Sequence, residues 1–128
     1  MQTRDQILAS KVYAHVQSFG SRTAKGDSSR SKYGSMAHKL PVLIRTAGLA
    51  QALAFLEARG DKEQKLLLEH LELTLGQSGL AARSRTVQLG QYMLLTRECL
   101  DALLWFKRFA QSLLDVDASE DGESTDGQ

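Results

Sequence analysis

The chain has 128 residues and a formal net charge of +1, a length that suits one domain with its own core and leaves little room for two. No apolar run approaches the roughly 20 residues of a membrane-spanning helix, and the N-terminal residues lack the pattern of a secretory signal. The only cysteine is Cys99, which excludes an internal disulfide, so we expect a cytoplasmic protein with no membrane contact.

Composition favours helices, and charge divides the chain into two parts. Leucine occurs 21 times, against 7 for valine and isoleucine together, and unbranched side chains lose less rotamer freedom in a helix. Residues 115–128 contain six acids and no base, which leaves 16 bases and 9 acids, or +7, in residues 1–114. A basic body suits a polyanionic partner, but lysines that merely keep a domain soluble explain it equally well.

Helical signals begin at the N-terminus. Thr3 and Gln6 have capping-box spacing, and apolar residues then recur at helical intervals as far as Phe19. Residues 20–31 are rich in glycine, serine and threonine, which predicts a loop. A second helical stretch, about 31–47, contains Pro41, so either a helix restarts near residue 40 or one helix is kinked there.

Glycines divide the middle of the chain. Gly48 predicts a bend before an apolar face at 49–56, and Gly60 predicts the end of that helix. Asp61, with Gln64 three residues later, predicts the start of a leucine-dense helix over about 62–75. The chain breaks again at 76–79, and we expect one or two helical turns within 80–89.

The last helix, about 90–114, has the clearest pattern. At about 100° per residue its apolar side chains fall on one side, and its polar stripe on the other comprises Arg97, Asp101, Arg108 and Gln111. These patterns predict an all-α, compact single-domain helical bundle of about five to six helices in residues 1–114, with a long C-terminal helix. Residues 115–128 are predicted to be a disordered acidic tail.

Motifs of catalysis and metal binding are absent. The glycines of residues 76–79 are spaced wrongly for a nucleophile elbow, and no glycine-rich loop ends in Gly-Lys-Ser or Gly-Lys-Thr. The three histidines are far apart, and none has a second histidine at metal-ligand spacing. His15 falls on an apolar stripe, which favours a core-edge residue, and Cys99 is expected to be buried. We therefore predict no enzyme activity, no metal and no cofactor.

Basic side chains are the remaining signal. Arginine and lysine beside aromatic residues can clamp phosphates and stack on bases, and the last helix combines Arg97, Lys107 and Arg108 with Trp105, Phe106 and Phe109. The alternative is that Arg97 pairs with Asp101 and that the aromatic rings are core residues. The residues alone favour this alternative.

Two segments resemble a known family. Residues 39–56, KLPVLIRTAGLAQALAFL, and residues 92–110, YMLLTRECLDALLWFKRFA, are similar to two motifs of the small subunit of type III-B CRISPR effector (Cmr) complexes. The resemblance covers roughly residues 3–114. It departs from the family pattern at Ala47, where a polar residue is common, at Phe106, where leucine is common, and in the acidic tail.

The resemblance implies a non-catalytic helical subunit in antiviral defence, which stacks with copies of itself beside the guide RNA and the target RNA. Its other partners would be the remaining subunits of the Cmr ribonucleoprotein. Because base pairing supplies specificity in such complexes, a basic surface without sequence preference is sufficient. By matching motif positions, the expected RNA-binding residues are Lys39, Arg45, Arg97, Lys107 and Arg108.

Two alternative functions stay open. A purely structural helical spacer would use the same bundle without contacting RNA. A helix-turn-helix DNA-binding regulator would explain basic helices, although no recognition helix with polar base-reading residues follows a tight turn.

Overall fold

The structure, a computed structural model, describes residues 1–118. Within that range the chain forms six α-helices and no strand, which confirms the predicted all-α bundle and its long last helix. The helices are α1 (Arg4–Ser21), α2 (Ser28–Ala47), α3 (Leu49–Arg59), α4 (Lys62–Leu75), α5 (Leu80–Thr86) and α6 (Leu89–Leu114).

Two helices begin where their capping residues predicted. Thr3 Oγ1 accepts from the Gln6 amide at 3.0 Å, and the Gln6 side chain accepts from the Thr3 amide at 2.7 Å. Asp61 and Gln64 make the same reciprocal pair at the start of α4, at 2.8 and 3.1 Å. Each capping box provides hydrogen-bond acceptors for two backbone amides, that of the N-cap residue and one in the first turn of the helix. The second amide has no partner within the helix itself.

The second helix differs from its prediction at its start, and at Pro41 it decides between the two alternatives. It begins at Ser28 rather than 31, because Asp27 caps it by accepting from the Ser29 amide at 2.9 Å. It also runs without interruption through Pro41, so no second helix begins near residue 40. Leu40 and Ile44, on either side of the proline, are buried in the core, and this packing offsets the hydrogen bond that the proline cannot donate.

All six helices contribute buried side chains to the core, and α1, α2, α4 and α6 pack together. Arg4 lies beside Glu98 and Tyr13 beside Phe109, so α1 and α6 run in the same direction. The α2 helix is antiparallel to α6, because the amide of Ala50, just after the end of α2, donates to the hydroxyl of Tyr92 near the start of α6. The fourth helix, α4, packs on α1, α2 and α6, while α3 packs on α2, α4 and α5. The core therefore draws on helices from both ends of the chain.

The segment after α6 corrects the predicted boundary of the domain. Val116, placed in the tail by its sequence, is 2% exposed and belongs to the core. Its carbonyl oxygen lies 2.9 Å from His38 Nε2, and its side chain fills the space above Gly34, where an added Cβ would lie 2.7 Å from Val116 Cβ. The packed domain thus extends past Leu114, and residues 119–128 of the predicted tail lie outside the described residues.

Candidate nucleic-acid interface

A buried aromatic group joins α1, α2 and α4. The hydroxyl of Tyr33 lies 2.7 Å from His70 Nδ1, and the His70 ring stacks on His15 with 4.8 Å between ring centroids. Burial lowers the pKa of His15. Burial, followed by the charges of His15 and Arg22, lowers the pKa of His70 to about 4. Both histidines therefore favour the neutral form at neutral pH, and His15 has the core-edge position predicted for it.

Cys99 is fully buried on the inner face of α6, as predicted. Burial, reinforced by the charge of Glu98, raises the pKa of its thiol to about 12. A thiol that stays protonated is a poor nucleophile and a poor metal ligand. In residues 1–118, moreover, no cluster of three or more His, Cys, Asp or Glu side chains could hold a metal ion.

The outer face of α6 presents two of the five predicted RNA-binding residues. Arg97 and Arg108 are both exposed, as are Asp101 and Gln111 of the predicted polar stripe. The two arginines are 11 residues apart, which places them about 20° apart around the helix and roughly 16 Å apart along it. Within the described part of the chain, no ion pair joins Arg97 to Asp101, so the structural alternative for this arginine is not supported.

One of these arginines lies next to an aromatic cluster between α1 and α6. The Arg108 guanidinium carbon is 6.0 Å from the centroid of Trp105, which stacks on Phe109 at 5.7 Å. Tyr13 contacts Phe109 edge-on at 5.3 Å, and Trp105 Nε1 donates to Asp5 at 3.1 Å. This cluster is only partly buried, whereas Phe106 is fully buried in the core and cannot reach a ligand.

The other three predicted residues lie on different faces. Arg45 is exposed near the end of α2, whereas Lys39 and Lys107 are half-buried. Lys39 and Arg45 are separated by about 120° around α2, because six residues advance the helix by roughly 600°. Helical geometry therefore does not bring all five cations to one spot.

A second group of cations, which the sequence patterns did not predict, lies at one end of the bundle. A cleft of about 560 Å³ between α1, α2 and α4 is lined by Arg22, Lys62 and Lys65, and also by Glu63 and Glu69. Arg22 is at least 40 residues before Lys62 and Lys65 in the sequence, so only the packing of the end of α1 against the start of α4 brings the three cations together. The two carboxylates largely offset their charge, which makes this cleft a weaker candidate for a polyanion than the exposed face of α6.

Membrane insertion finds no support in the described helices. None of them combines the length and the hydropathy that a bilayer crossing requires.

Comparison with known proteins agrees with the two motifs. Residues 4–113 match the family model described as CRISPR-associated protein (Cas_Cmr5). The CRISPR system Cmr subunit Cmr5 of Thermus thermophilus is 48% identical over 118 residues, which cover 90% of this chain and 99% of that protein. The X-ray crystal structure of a Cmr5 family protein from the same species superposes with a TM-score of 0.79 at 45% identity, and the match covers 88% of this chain and 99% of that one. The resemblance is thereby confirmed, and the chain belongs to the Cmr5 family of CRISPR-associated proteins.

Proposed function

We propose that this protein is a non-catalytic subunit of a cytoplasmic type III-B CRISPR (Cmr) effector complex, where it holds the guide and target RNA. Complex membership rests on one observation, the match of residues 4–113 to the Cmr5 family, whose Thermus thermophilus relative is named as a Cmr subunit. Its partners would be the other Cmr subunits and further copies of itself.

The proposed RNA contact depends on exposed cations in the two motif segments. Arg45, Arg97 and Arg108 face solvent, and Arg108 lies beside the ring of Trp105. A single domain of this size can reach few phosphates, so its non-specific affinity should fall in the range of about 10⁻⁴ to 10⁻⁶ M at physiological salt. Stacked copies would bind more phosphates along one strand and raise the avidity without new chemistry.

A charge-matched pair of triple variants tests the RNA contact. Replacing Lys39, Arg45 and Arg108 with alanine should weaken binding of single-stranded RNA and flatten its salt dependence, by about 0.7 in log–log slope for each phosphate that the variant no longer binds. The control replaces Lys11, Arg59 and Arg83, which are equally cationic, exposed and outside these positions. It should leave the slope unchanged, and circular dichroism should show the same helix content in both variants.

The outcomes separate the three functions. If both triple variants bind RNA with the slope of the parent, the RNA contact at these residues is refuted and the structural-spacer function takes its place. If the parent instead prefers a particular duplex DNA site, the regulator function is supported. In the assembled complex, the first variant should retain target RNA less well while the cleavage pattern stays the same.

A further inference from the structure

A second apolar stripe runs along the outside of α6. Leu89, Met93 and Leu104 are 72%, 62% and 40% exposed, and the half-buried Leu100 lies between the last two. Their spacing of 4, 7 and 4 residues keeps all four within about 60° around the helix and over roughly 22 Å of its length. We call these four residues the α6 stripe. Apolar side chains aligned over this length are typical of a helix face that another protein covers.

The charged residues of α6 that lie nearest the stripe are all basic. Arg97 lies about 50° from its centre and Arg108 about 70°, and Lys107 follows its C-terminal end. The two acids of α6, Glu98 and Asp101, lie roughly 90° or more away from the centre. A covering partner would therefore place carboxylates beside these cations and aliphatic side chains over the stripe.

Three other occupants fit less well. RNA offers phosphates and bases, which bind cations and aromatic rings, and neither gains from leucine or methionine. A second copy that packed its own stripe on this one about a twofold axis would set Arg97 against Arg97, because this residue lies midway along the stripe. The proposed stacking of copies would use other faces. The acidic residues 119–128 contain no leucine, isoleucine, valine or aromatic residue that could fill the stripe.

We propose that the α6 stripe docks an amphipathic segment of a different polypeptide, with aliphatic anchors and carboxylates along their edge. This docking role goes beyond the RNA contact, and its test rests on the proposed membership of the Cmr complex. The docking segment would pack against Met93 and Leu104 and pair with Arg97. In this arrangement the two faces of α6 have separate roles: the inner face packs against the rest of the fold, and the outer face joins the subunit to another protein.

The test uses two triple variants that exchange exposed apolar residues for glutamine. One replaces Leu89, Met93 and Leu104, and the control replaces the similarly exposed Ile7, Phe55 and Leu73. Each full-length chain is coexpressed with the other Cmr subunits from the same source, and the amount that copurifies with the complex is measured. We expect the stripe variant to be depleted at least about tenfold and the control to match the parent.

Three outcomes would overturn the proposal. If the stripe variant copurifies as well as the parent and the control, the stripe is not a docking site, although complex membership stands. If the isolated parent forms a dimer that the stripe variant cannot form, the occupant is a second copy. If the isolated stripe variant, with all its cations in place, binds RNA tenfold more weakly than the parent, the face belongs to the RNA.

Discussion

The inner and outer faces of α6 both carry apolar side chains, but the rest of the fold covers only the inner one. Phe106 is fully buried, whereas Leu104, two residues before it, is 40% exposed. On the inner face, close packing with three other helices buries apolar surface and thereby stabilises the folded state. On the outer face, the same kind of side chain adds little to stability and remains available to a partner. Similar residues in one helix can therefore have separate roles, and variants can separate them.

Truncation on each face gives the largest expected contrast. Phe106→Ala removes a fully buried ring and should lower the free energy of unfolding by about 3–5 kcal/mol. Leu104→Ala removes a partly solvated side chain and should change it by less than about 1 kcal/mol. Urea unfolding of both variants measures the difference. Similar losses would mean that the outer face supports the fold as much as the inner one does.

Acid should destabilise the folded protein through the buried side chain of His70, which lies away from the outer face of α6. The pKa of His70 is about 4 in the folded protein and about 6.5 in an unfolded chain, so the unfolded state takes up its proton first. The neutral histidine therefore makes its full contribution to the free energy of unfolding above pH 6.5. As the pH falls from 6.5 to 4, this free energy should decrease by up to about 1.4 kcal/mol per pH unit.

Urea unfolding at a series of pH values measures this slope. His70→Gln, whose amide can still bond to the hydroxyl of Tyr33, should show a shallower fall over the same range. An identical slope in the variant would assign the acid sensitivity to other groups.

The end of the packed domain gives an intermediate effect. Truncation after Leu114 removes Val116 from the core and leaves His38 without the carbonyl that it contacts. It should cost about 2 kcal/mol, the usual contribution of a buried valine side chain. Truncation after Ala118 preserves these interactions and should give a higher melting temperature than truncation after Leu114. If both truncations melt alike, Val116 does not support the core.

The smallest expected effect is a gain on the exposed side of α6. An added Cβ at Gly90 meets nothing within 4 Å, and the backbone there is helical. Gly90→Ala should therefore raise the free energy of unfolding by up to about 1 kcal/mol, because alanine loses less backbone entropy. If thermal unfolding instead shows a loss of stability, the added methyl group at residue 90 must meet neighbouring atoms.

Local chemistry determined much of this protein from its sequence. Capping boxes at Thr3 and Asp61 fixed two helix starts, and the apolar period of α6 fixed its buried face, because each depends on residues within a few positions of one another. The two motifs identified the family without any structure.

Tertiary structure decided what distant residues do together. Val116 looked like part of the tail because its partners, Gly34 and His38, lie about 80 residues away in the sequence. The histidine pair of α1 and α4 and the uninterrupted passage of α2 through Pro41 likewise depend on packing between helices. Periodicity predicted which side of α6 is buried, but only the fold left the α6 stripe uncovered. Sequence patterns describe preferences of the local chain, whereas burial depends on which helices meet.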